Sequence, residues 1–303
     1  MKVGLYTPGL QPAVRRRVDG ANWQRADRAA HARDAEIAIE ELVDIASAAD
    51  RLGYEFLSCS QHVALDQDVA RGVGGSWWDP LSTFGLLAAH TTRVRFATLV
   101  VVLGYQHPLQ LVKEYSTLDR VSKGRVILGV GVGEVRPEFE LLGVEFERRG
   151  PRADDALRVL RAAFGNPMAE YSGEFFRVSG VVVEPVAIQP RVPIWVGGRT
   201  WRSLLRALAL GDGWAPFGLA TTDLERMIAD PRVRHALDER EGSFDFVLTP
   251  RILDPLGDPN AVSAVLERYQ RVGATQLAVL FDHASTSHYL EQMAALAELA
   301  WLT

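Results

Sequence analysis

Short runs of apolar and β-branched residues alternate with longer amphipathic stretches along most of the 303-residue chain. This alternation predicts a parallel sheet whose strands are connected by crossover helices. Several of the short runs are apolar almost throughout, as is typical of strands buried on both faces. The predicted strands are Lys2–Tyr6, Tyr54–Ser58, Arg93–Leu103, Arg125–Val130, Ile194–Val196, Gly213–Pro216, Phe244–Leu248 and Gln276–Phe281. Eight parallel strands suit a closed (β/α)₈ barrel, the TIM barrel, better than an open sheet, and the length of the chain allows one such domain over residues 1–303.

The longer stretches between these runs have the period of helices. In Glu36–Leu52, apolar residues such as Leu42 and Ile45 recur at helical spacing, and Gly53 follows as a C-terminal stop. Helices of this kind fit the outer layer of a barrel. The other predicted helices are Pro80–Ala89, Leu109–Val121, Ala153–Phe164, Ser203–Leu210, Asn260–Val272 and Tyr289–Leu302.

Three segments exceed a minimal barrel. Gln11–Ala35 is long and charged, Gly165–Arg191 is rich in Gly, Pro and β-branched residues, and the predicted loop Asp66–Trp78 ends in two tryptophans. Long insertions after barrel strands often form lids or substrate loops. Trp77 and Trp78 fit two interpretations, a mobile aromatic cover over a site or packing against a helix.

Charge and composition exclude several classes of partner. The formal net charge is −5, and the basic cluster Arg15–Arg17 is best interpreted as a solvated loop, so we expect binding to neither nucleic acid nor an anionic membrane. No apolar stretch reaches the ~20 residues of a membrane helix, and the opening residues, interrupted by Pro8, predict no signal peptide. We therefore expect a cytoplasmic protein. The single cysteine, Cys59, is predicted to be a buried apolar residue rather than a nucleophile.

Polar residues follow the predicted strands at the ends where barrel enzymes build their active sites. Gln61 and His62 follow the second strand, and Glu134 follows the fourth after a series of glycines. Because imidazole titrates near neutrality, His62 is a candidate general acid or base, the alternative being a structural histidine. Glu134 is a candidate on the same grounds of position, the alternative being an exposed loop carboxylate.

The glycine-containing segments indicate ligand contact rather than a dinucleotide fold. Gly129–Gly133 has the spacing Gly-x-Gly-x-Gly, whereas the dinucleotide fingerprint needs Gly-x-Gly-x-x-Gly before a helix. Gly197–Thr200 combines bare glycine amides, Arg199 and a predicted helix start, which favours a phosphate site over a plain turn. The histidines have no metal-ligand spacing, and no Gly-x-Ser-x-Gly elbow indicates a serine hydrolase.

An ordered set of short motifs resembles one known family. The set runs almost from end to end and comprises Lys2–Pro8, Ala49–Tyr54 with His62, Thr92–Arg95 leading to His107-Pro108, Leu118–Arg125, Leu128–Gly133, Glu138–Val144, Pro193–Gly198 and Leu210–Trp214. With this spacing the chain resembles the bacterial luciferase-like monooxygenase superfamily, and specifically its branch that uses coenzyme F420, a 5-deazaflavin.

The resemblance implies a site as well as a fold. Members are TIM barrels that usually pair as homodimers and bind a cofactor ring at the C-terminal mouth of the barrel. In many members a non-proline cis peptide backs the ring, and the matching bond here is Leu99–Val100. The resemblance places His62 and Glu134 beside the reactive ring. Cofactor contacts are expected from Gln61, Leu99, Val100, Val132, Gly133, Gly197, Gly198, Arg199 and Thr200.

Three positions differ from the pattern of the branch. Gln61 stands where an acidic residue is common, Val102 replaces a threonine of a dehydrogenase relative, and Pro137 replaces an asparagine. The leading hypothesis is hydride transfer between reduced F420 and a small organic substrate, with His62 or Glu134 moving the proton. One alternative is a monooxygenase that uses reduced FMN and oxygen. Another is a barrel that binds a ligand without catalysis.

Overall fold

A computed structural model describes residues 1–8 and 37–301 of the chain. The predicted segment Gln11–Ala35 lies outside the described residues. The strands, numbered in chain order, are β1 (Lys2–Tyr6), β2 (Phe56–Cys59), β3 (Arg95–Thr98), β4 (Val101–Val102), β5 (Val126–Gly131), β6 (Tyr171–Ser172), β7 (Arg177–Val178), β8 (Ile194–Gly197), β9 (Gly213–Ala215), β10 (Asp245–Leu248) and β11 (Gln276–Val279).

The parallel strands close into a barrel. Their order is β1–β2–β3–β5–β8–β9–β10–β11, and β11 pairs again with β1, where Lys2 lies opposite Gln276. Strand β4 continues the line of β3 and pairs with β5, so that β3 and β4 together form one of the eight strands of the wall. The predicted TIM barrel is therefore confirmed. The single predicted strand Arg93–Leu103 is wrong in one respect, because a cis peptide between Leu99 and Val100 interrupts it.

Helices cover the outside of the barrel. They are α1 (Ile39–Leu52), α2 (Gln67–Val73), α3 (Pro80–Ala89), α4 (Pro108–Val121), α5 (Arg136–Leu141), α6 (Arg149–Ala163), α7 (Trp201–Leu210), α8 (Thr221–Ile228), α9 (Pro231–Asp238), α10 (Pro259–Val272) and α11 (Thr286–Trp301). The seven predicted helices are all present within a few residues of their predicted bounds, although Glu36 and Leu302 lie outside the described residues.

Local sequence explains where several helices begin and end. Asp79 and Asp258 each accept a hydrogen bond from a backbone N–H of the first turn, and a proline follows each of them at the first helical position. His107 does the same for α4, with its ring nitrogen as the acceptor. Gly53 and Gly273 end α1 and α10 in the left-handed conformation that favours glycine. These capping contacts therefore define where each of these helices begins or ends.

The core has two layers. The larger cluster fills the space between sheet and helices, and a smaller one fills the inside of the barrel. In the smaller cluster the rings of Phe56 and Trp195 meet edge to face, 5.2 Å apart. Gly4 leaves room for Phe56, since a Cβ there would overlap its ring. The barrel interior is thus packed with side chains, and ligands have access only at its end.

Two of the additional segments contain regular structure. Asp66–Trp78, predicted as a loop, contains the short helix α2. Gly165–Arg191 contains the antiparallel hairpin β6–β7, which is fixed to α6 through Asp155. Cys59 is buried, as predicted. No helix in residues 1–8 and 37–301 is long and apolar enough to cross a membrane.

Candidate functional site

The predicted site residues lie at one end of the barrel. Gln61 and His62 follow β2, the segment Val132–Glu134 follows β5, and Gly198–Thr200 follows β8. Because all eight strands are parallel, these loops share the C-terminal mouth. The cis peptide that the resemblance implies at Leu99–Val100 is present at the same end, between β3 and β4.

Gln61 joins the loop after β2 to the interrupted strand. Its side-chain oxygen accepts a hydrogen bond from the N–H of Val102 at 3.0 Å, and its own N–H donates to the carbonyl of Val100 at 3.1 Å. The N–H of Leu99 donates to the carbonyl of Cys59 at 2.8 Å. An amide side chain at position 61 therefore supports the backbone around the cis bond.

Two glycines allow the side chain of Val100 to lie deep in the mouth. A Cβ at Gly131 would come within 2.7 Å of one methyl of Val100, and a Cβ at Gly197 within 2.9 Å of the other. Both distances are shorter than carbon atoms tolerate, so side chains at these positions would push Val100 outward. Val100 and Val132 remain half-buried and present apolar surface at the mouth.

His62 is held on one side of its ring by Glu138. Its Nδ1 lies 2.8 Å from Oε2 of Glu138, while the ring of Trp77 packs edge to face at 4.4 Å. The imidazole is 20% exposed, which leaves it accessible from the mouth. Trp77 and Trp78 are both half-buried, and Trp78 packs against the main core.

Glu138, on α5, is a buried carboxylate surrounded by donors. It accepts from Nδ1 of His62, from the hydroxyl of Tyr105 at 2.6 Å, and from the N–H groups of Val63 and Ala64 at 2.6 and 3.2 Å. Burial alone would raise the pKa of Glu138, but the hydrogen bonds from His62, Tyr105 and Val63 outweigh it and hold the pKa below its usual value. The carboxylate is therefore ionised at neutral pH.

Glu138 and Tyr105 are the site residues that sequence reasoning missed. Glu138 opens a motif of the resemblance, but nothing in the sequence connects it with His62, 76 positions earlier. Burial, followed by the neighbouring Glu138 carboxylate, raises the pKa of Tyr105, so its hydroxyl stays a donor. One feature of the sequence did point to Glu138, because this acidic residue follows shortly after the glycine series, in a helix that begins next to the mouth.

Glu134 lies in a different environment from His62. Its Oε2 is 3.7 Å from Nη2 of Arg199, with both side chains about half exposed, at 51% and 45%. Arg199 also lies over the ring of Phe217, 5.3 Å from its centre. Neither a hydrogen bond nor an ion pair joins Glu134 to His62, both of which the structure describes. The two predicted catalytic residues thus share the mouth but not a contact.

The loop after β8 is built around the start of α7. The hydroxyl of Thr200 accepts from the N–H of Ser203, and the hydroxyl of Ser203 accepts from the N–H of Thr200. The indole N–H of Trp214 donates to the carbonyl of Gly198, whose φ of +114° favours glycine. The first N–H groups of a helix have no acceptor within it, so this rigid helix start can bind an anion.

Metal chemistry finds no support in the described residues. Within 1–8 and 37–301, no group of three or more His, Cys, Asp or Glu side chains is arranged to hold a metal ion. The chemistry available at the mouth includes the imidazole of His62, the carboxylates of Glu134 and Glu138, the guanidinium of Arg199 and the start of α7.

Comparison with known proteins assigns the class and the family. The barrel with an open, mixed apolar and charged mouth is an architecture that binds small molecules at its strand ends. Residues 22–254 match the model of the luciferase-like monooxygenase family. Because this match covers most of the chain, the chain belongs to the luciferase-like monooxygenase family.

Individual relatives differ in cofactor and reaction. An uncharacterised protein of Mycobacterium tuberculosis is 36% identical over 168 residues, which is 55% of this chain and 57% of that protein. The F420-dependent glucose-6-phosphate dehydrogenase of Gordonia bronchialis is 26% identical over 212 residues, 68% of this chain and 61% of that protein. The chain thus spans less than two thirds of the length of these curated relatives.

A solved structure supports the fold. The crystal structure of a monooxygenase from Streptomyces bottropensis matches with a TM-score of 0.73 at 20% identity, over 99% of this chain and 98% of that one. At this level of identity the match supports the barrel fold alone and does not determine the chemistry of the site.

Proposed function

We propose that this chain is a coenzyme F420-dependent oxidoreductase that moves a hydride between the deazaflavin and a small organic substrate. The observation that carries the proposal is the accessible imidazole of His62, which is held by the ionised Glu138 at the mouth of the barrel. Hydride transfer to or from an oxygen- or nitrogen-bearing carbon needs a partner for the accompanying proton. The similarity to an F420-dependent dehydrogenase over 68% of the chain supports the choice of cofactor.

The residues at the mouth fit a flat, anionic cofactor. Val100 and Val132 offer half-buried apolar surface for a ring, and the glycines at 131 and 197 keep that surface deep. Arg199, about half exposed, and the start of α7 after Thr200 offer positive charge and backbone donors for a phosphate. We propose Gly133, Gly197 and Gly198 as further contacts, because they lie at the ends of β5 and β8 next to Glu134 and Arg199.

Each residue then has a defined task. The bound deazaflavin would supply or accept the hydride at its C5 atom. His62 donates or accepts the proton, since it is the accessible titratable group with a fixed partner. Glu134 is the second candidate for this role, although its contact with Arg199 ties it to binding of the cofactor. Trp77 covers one face of His62 and limits the access of water.

Titration of the purified protein with oxidised F420 tests the proposal. We expect a saturable change in the fluorescence of the cofactor at micromolar concentrations, and a weaker one with FMN. His62→Ala is expected to bind F420 normally and to lose turnover. The absence of any fluorescence change at high micromolar F420 would contradict the proposal.

A reduced-FMN monooxygenase is the second candidate, favoured by the family match over residues 22–254. Oxygen consumption with reduced FMN and a panel of substrates distinguishes it from the F420 enzyme, because a simple hydride transfer consumes no oxygen. A barrel that only binds its ligand would show binding in the parent and in the His62→Ala and Glu134→Ala variants, and turnover in none of the three.

A further inference from the structure

The oxygens of Glu138 divide their hydrogen bonds between two kinds of donor. Oε1 accepts from the backbone N–H groups of Val63 and Ala64, while Oε2 accepts from the Tyr105 hydroxyl and lies 2.8 Å from Nδ1 of His62. Glu138 is 1% exposed, so these contacts replace all its interactions with water. A buried carboxylate with this many donors has a fixed position and a fixed charge.

We propose that Glu138 and Tyr105 are positioning residues that hold His62 as the Nδ1–H tautomer, so that Nε2 is the atom that exchanges a proton with the substrate. An ionised carboxylate can only accept, so the facing Nδ1 of His62 carries the hydrogen. The lone pair of the neutral ring is then on Nε2, which has no hydrogen-bond partner within residues 1–8 and 37–301. The role of His62 in turnover rests on the proposed function, whereas the tautomer of His62 does not.

The same carboxylate fixes the position of the ring. The contacts with Val63 and Ala64 hold the backbone that follows His62, and Trp77 packs against the ring at 4.4 Å. Tyr105 donates to the oxygen that faces His62 and packs on Phe139 of α5, with ring centres 5.1 Å apart. Both the placement and the rotation of the imidazole are therefore determined before any ligand arrives.

The consequence for the reaction depends on its direction. With an alcohol as substrate, the bound deazaflavin would accept the hydride of the C–H bond, and Nε2 of neutral His62 would take the O–H proton as the carbonyl forms. In the reverse direction the reduced deazaflavin would supply the hydride, and Nε2–H of protonated His62 would donate the proton to the oxygen. In the described residues, Glu138 is the charged group that contacts His62, and Tyr105 reaches it only through Glu138.

Glu138→Gln gives a sharp test, because the amide has an acceptor only on its oxygen and donors only on its nitrogen, whereas both oxygens of the carboxylate accept. The two backbone N–H groups at Oε1 require the amide oxygen there, so the amide nitrogen must face His62. A donor facing Nδ1 needs a lone pair on that atom, and the ring must change to the Nε2–H tautomer. The substitution therefore reverses the tautomer without changing the size of the side chain.

The tautomer is measured by nitrogen NMR of the ring in protein labelled with ¹⁵N-histidine, without cofactor. The His62 signal is assigned by its loss in His62→Gln. We expect Nδ1–H in the parent, Nε2–H in Glu138→Gln, and Nδ1–H again in Tyr105→Phe, which keeps the carboxylate and loses only one of its donors. Glu140→Gln, the same change at an exposed position on the same helix, is the control and should keep the parent signal.

Turnover gives the second measurement. With bound F420 we expect kcat/KM to fall about 10- to 100-fold in Glu138→Gln, through kcat, with the affinity for F420 unchanged. An Nε2–H signal in the parent, or an unchanged signal in folded Glu138→Gln, would overturn the inference. If Glu138→Gln does not fold, the parent signal decides, because Nε2–H there overturns the tautomer, and an unaltered kcat in Tyr105→Phe overturns the positioning role of Tyr105. Because the NMR measurement needs no cofactor, failure to bind F420 would contradict the proposed function alone.

Discussion

Oε2 of Glu134 lies 3.7 Å from Nη2 of Arg199, so that an ion pair joins the loops after the neighbouring strands β5 and β8 at the barrel mouth. Both side chains are about half exposed, and ion pairs of this kind contribute little to stability, roughly 0–1 kcal/mol. Arg199 can therefore leave Glu134 for a stronger anion at small cost. Helix α7 begins at Trp201, directly after Arg199 and Thr200, and its first backbone N–H groups can donate to such an anion.

The first prediction concerns binding of the cofactor. Arg199→Ala should raise the Kd for F420 about 10-fold, which corresponds to about 1.4 kcal/mol for a lost charge-assisted contact. Glu134→Gln should lower the Kd, because it removes the competing partner of Arg199. Both differences should shrink as salt is added. Fluorescence titration measures them, with Arg226→Ala on α8 as the control. Equal Kd values for Arg199→Ala and the parent would show that the phosphate lies elsewhere.

The second prediction uses two glycines that share a positive φ and differ in their surroundings. Gly133 has φ +79°, and a Cβ there would lie 2.5 Å from Phe139 and 2.8 Å from Val102. Gly143 has φ +68°, and nothing lies within 4 Å of the position that a Cβ would take. Gly143→Ala should cost about 1–2 kcal/mol for the left-handed backbone. Gly133→Ala should cost about 1–3 kcal/mol more, because Phe139 must move.

Urea unfolding of both variants measures the difference. Phe139 adjoins Glu138 on α5, so Gly133→Ala should also disturb the His62 signal in the NMR measurement, whereas Gly143→Ala should not. Equal losses of stability in the two variants would mean that Phe139 adapts without cost.

The wall of the barrel was predictable because each strand is buried on both faces. Such strands leave apolar runs, as in Ile194–Gly197, that are legible without knowledge of their neighbours. The short helices α5, α8 and α9 were not predicted, since six to eight residues complete too few turns to show a period. Their positions follow from packing against the rest of the fold.

The residues of the candidate site were likewise predictable only in part. His62 was predictable from its place after a strand, whereas the buried state of Glu138 depends on donors 33 to 76 residues earlier in the chain. A charged residue is expected at the surface from its residue type, and only the tertiary contacts of Glu138 show that it is buried. Pairing of Glu134 with Arg199, rather than with the imidazole, likewise follows from how the loops meet at the mouth.

The third prediction concerns the closed end of the barrel, where one carboxylate holds three arginines. Asp212 accepts from Arg161 at 2.5 Å, from Arg191 at 2.8 Å and from Arg240 at 3.1 Å, and its side chain is 15% exposed. It also accepts from the N–H of Ile194 at the start of β8. Removing the acceptor leaves two largely buried guanidinium groups facing each other. Asp212→Ala should therefore destabilise the protein by about 3–5 kcal/mol.

Thermal or urea unfolding measures this loss against a matched control. Asp223→Ala removes an exposed partner of Arg226 on α8 and should cost about 0–1 kcal/mol. A loss below about 1 kcal/mol in Asp212→Ala would indicate that water or another carboxylate replaces Asp212 between the arginines.

The last prediction is a pH dependence that originates at the hairpin β6–β7. Asp155 on α6 is buried and accepts from the hydroxyl of Tyr171 and from the N–H groups of Phe175 and Phe176, at 2.7 and 3.0 Å. Burial would raise the pKa of Asp155, but these hydrogen bonds outweigh it and hold the pKa below its usual value. The folded state therefore binds this proton less readily than the unfolded chain does. Its contribution to stability is complete above the pKa of the unfolded chain and is lost as pH falls through the lower pKa of the folded state.

Asp155→Asn should accordingly be less stable than the parent at neutral pH, and the difference should narrow between about pH 5 and about pH 2. The free energy of urea unfolding, measured at intervals across this pH range, gives the pH dependence of stability for the parent and for Asp155→Asn. Asp68→Asn, at a position that is 82% exposed, controls for the loss of one carboxylate from the chain. A difference between Asp155→Asn and the parent that stays constant as the pH falls would show that Asp155 holds the hairpin through packing and not through its charge.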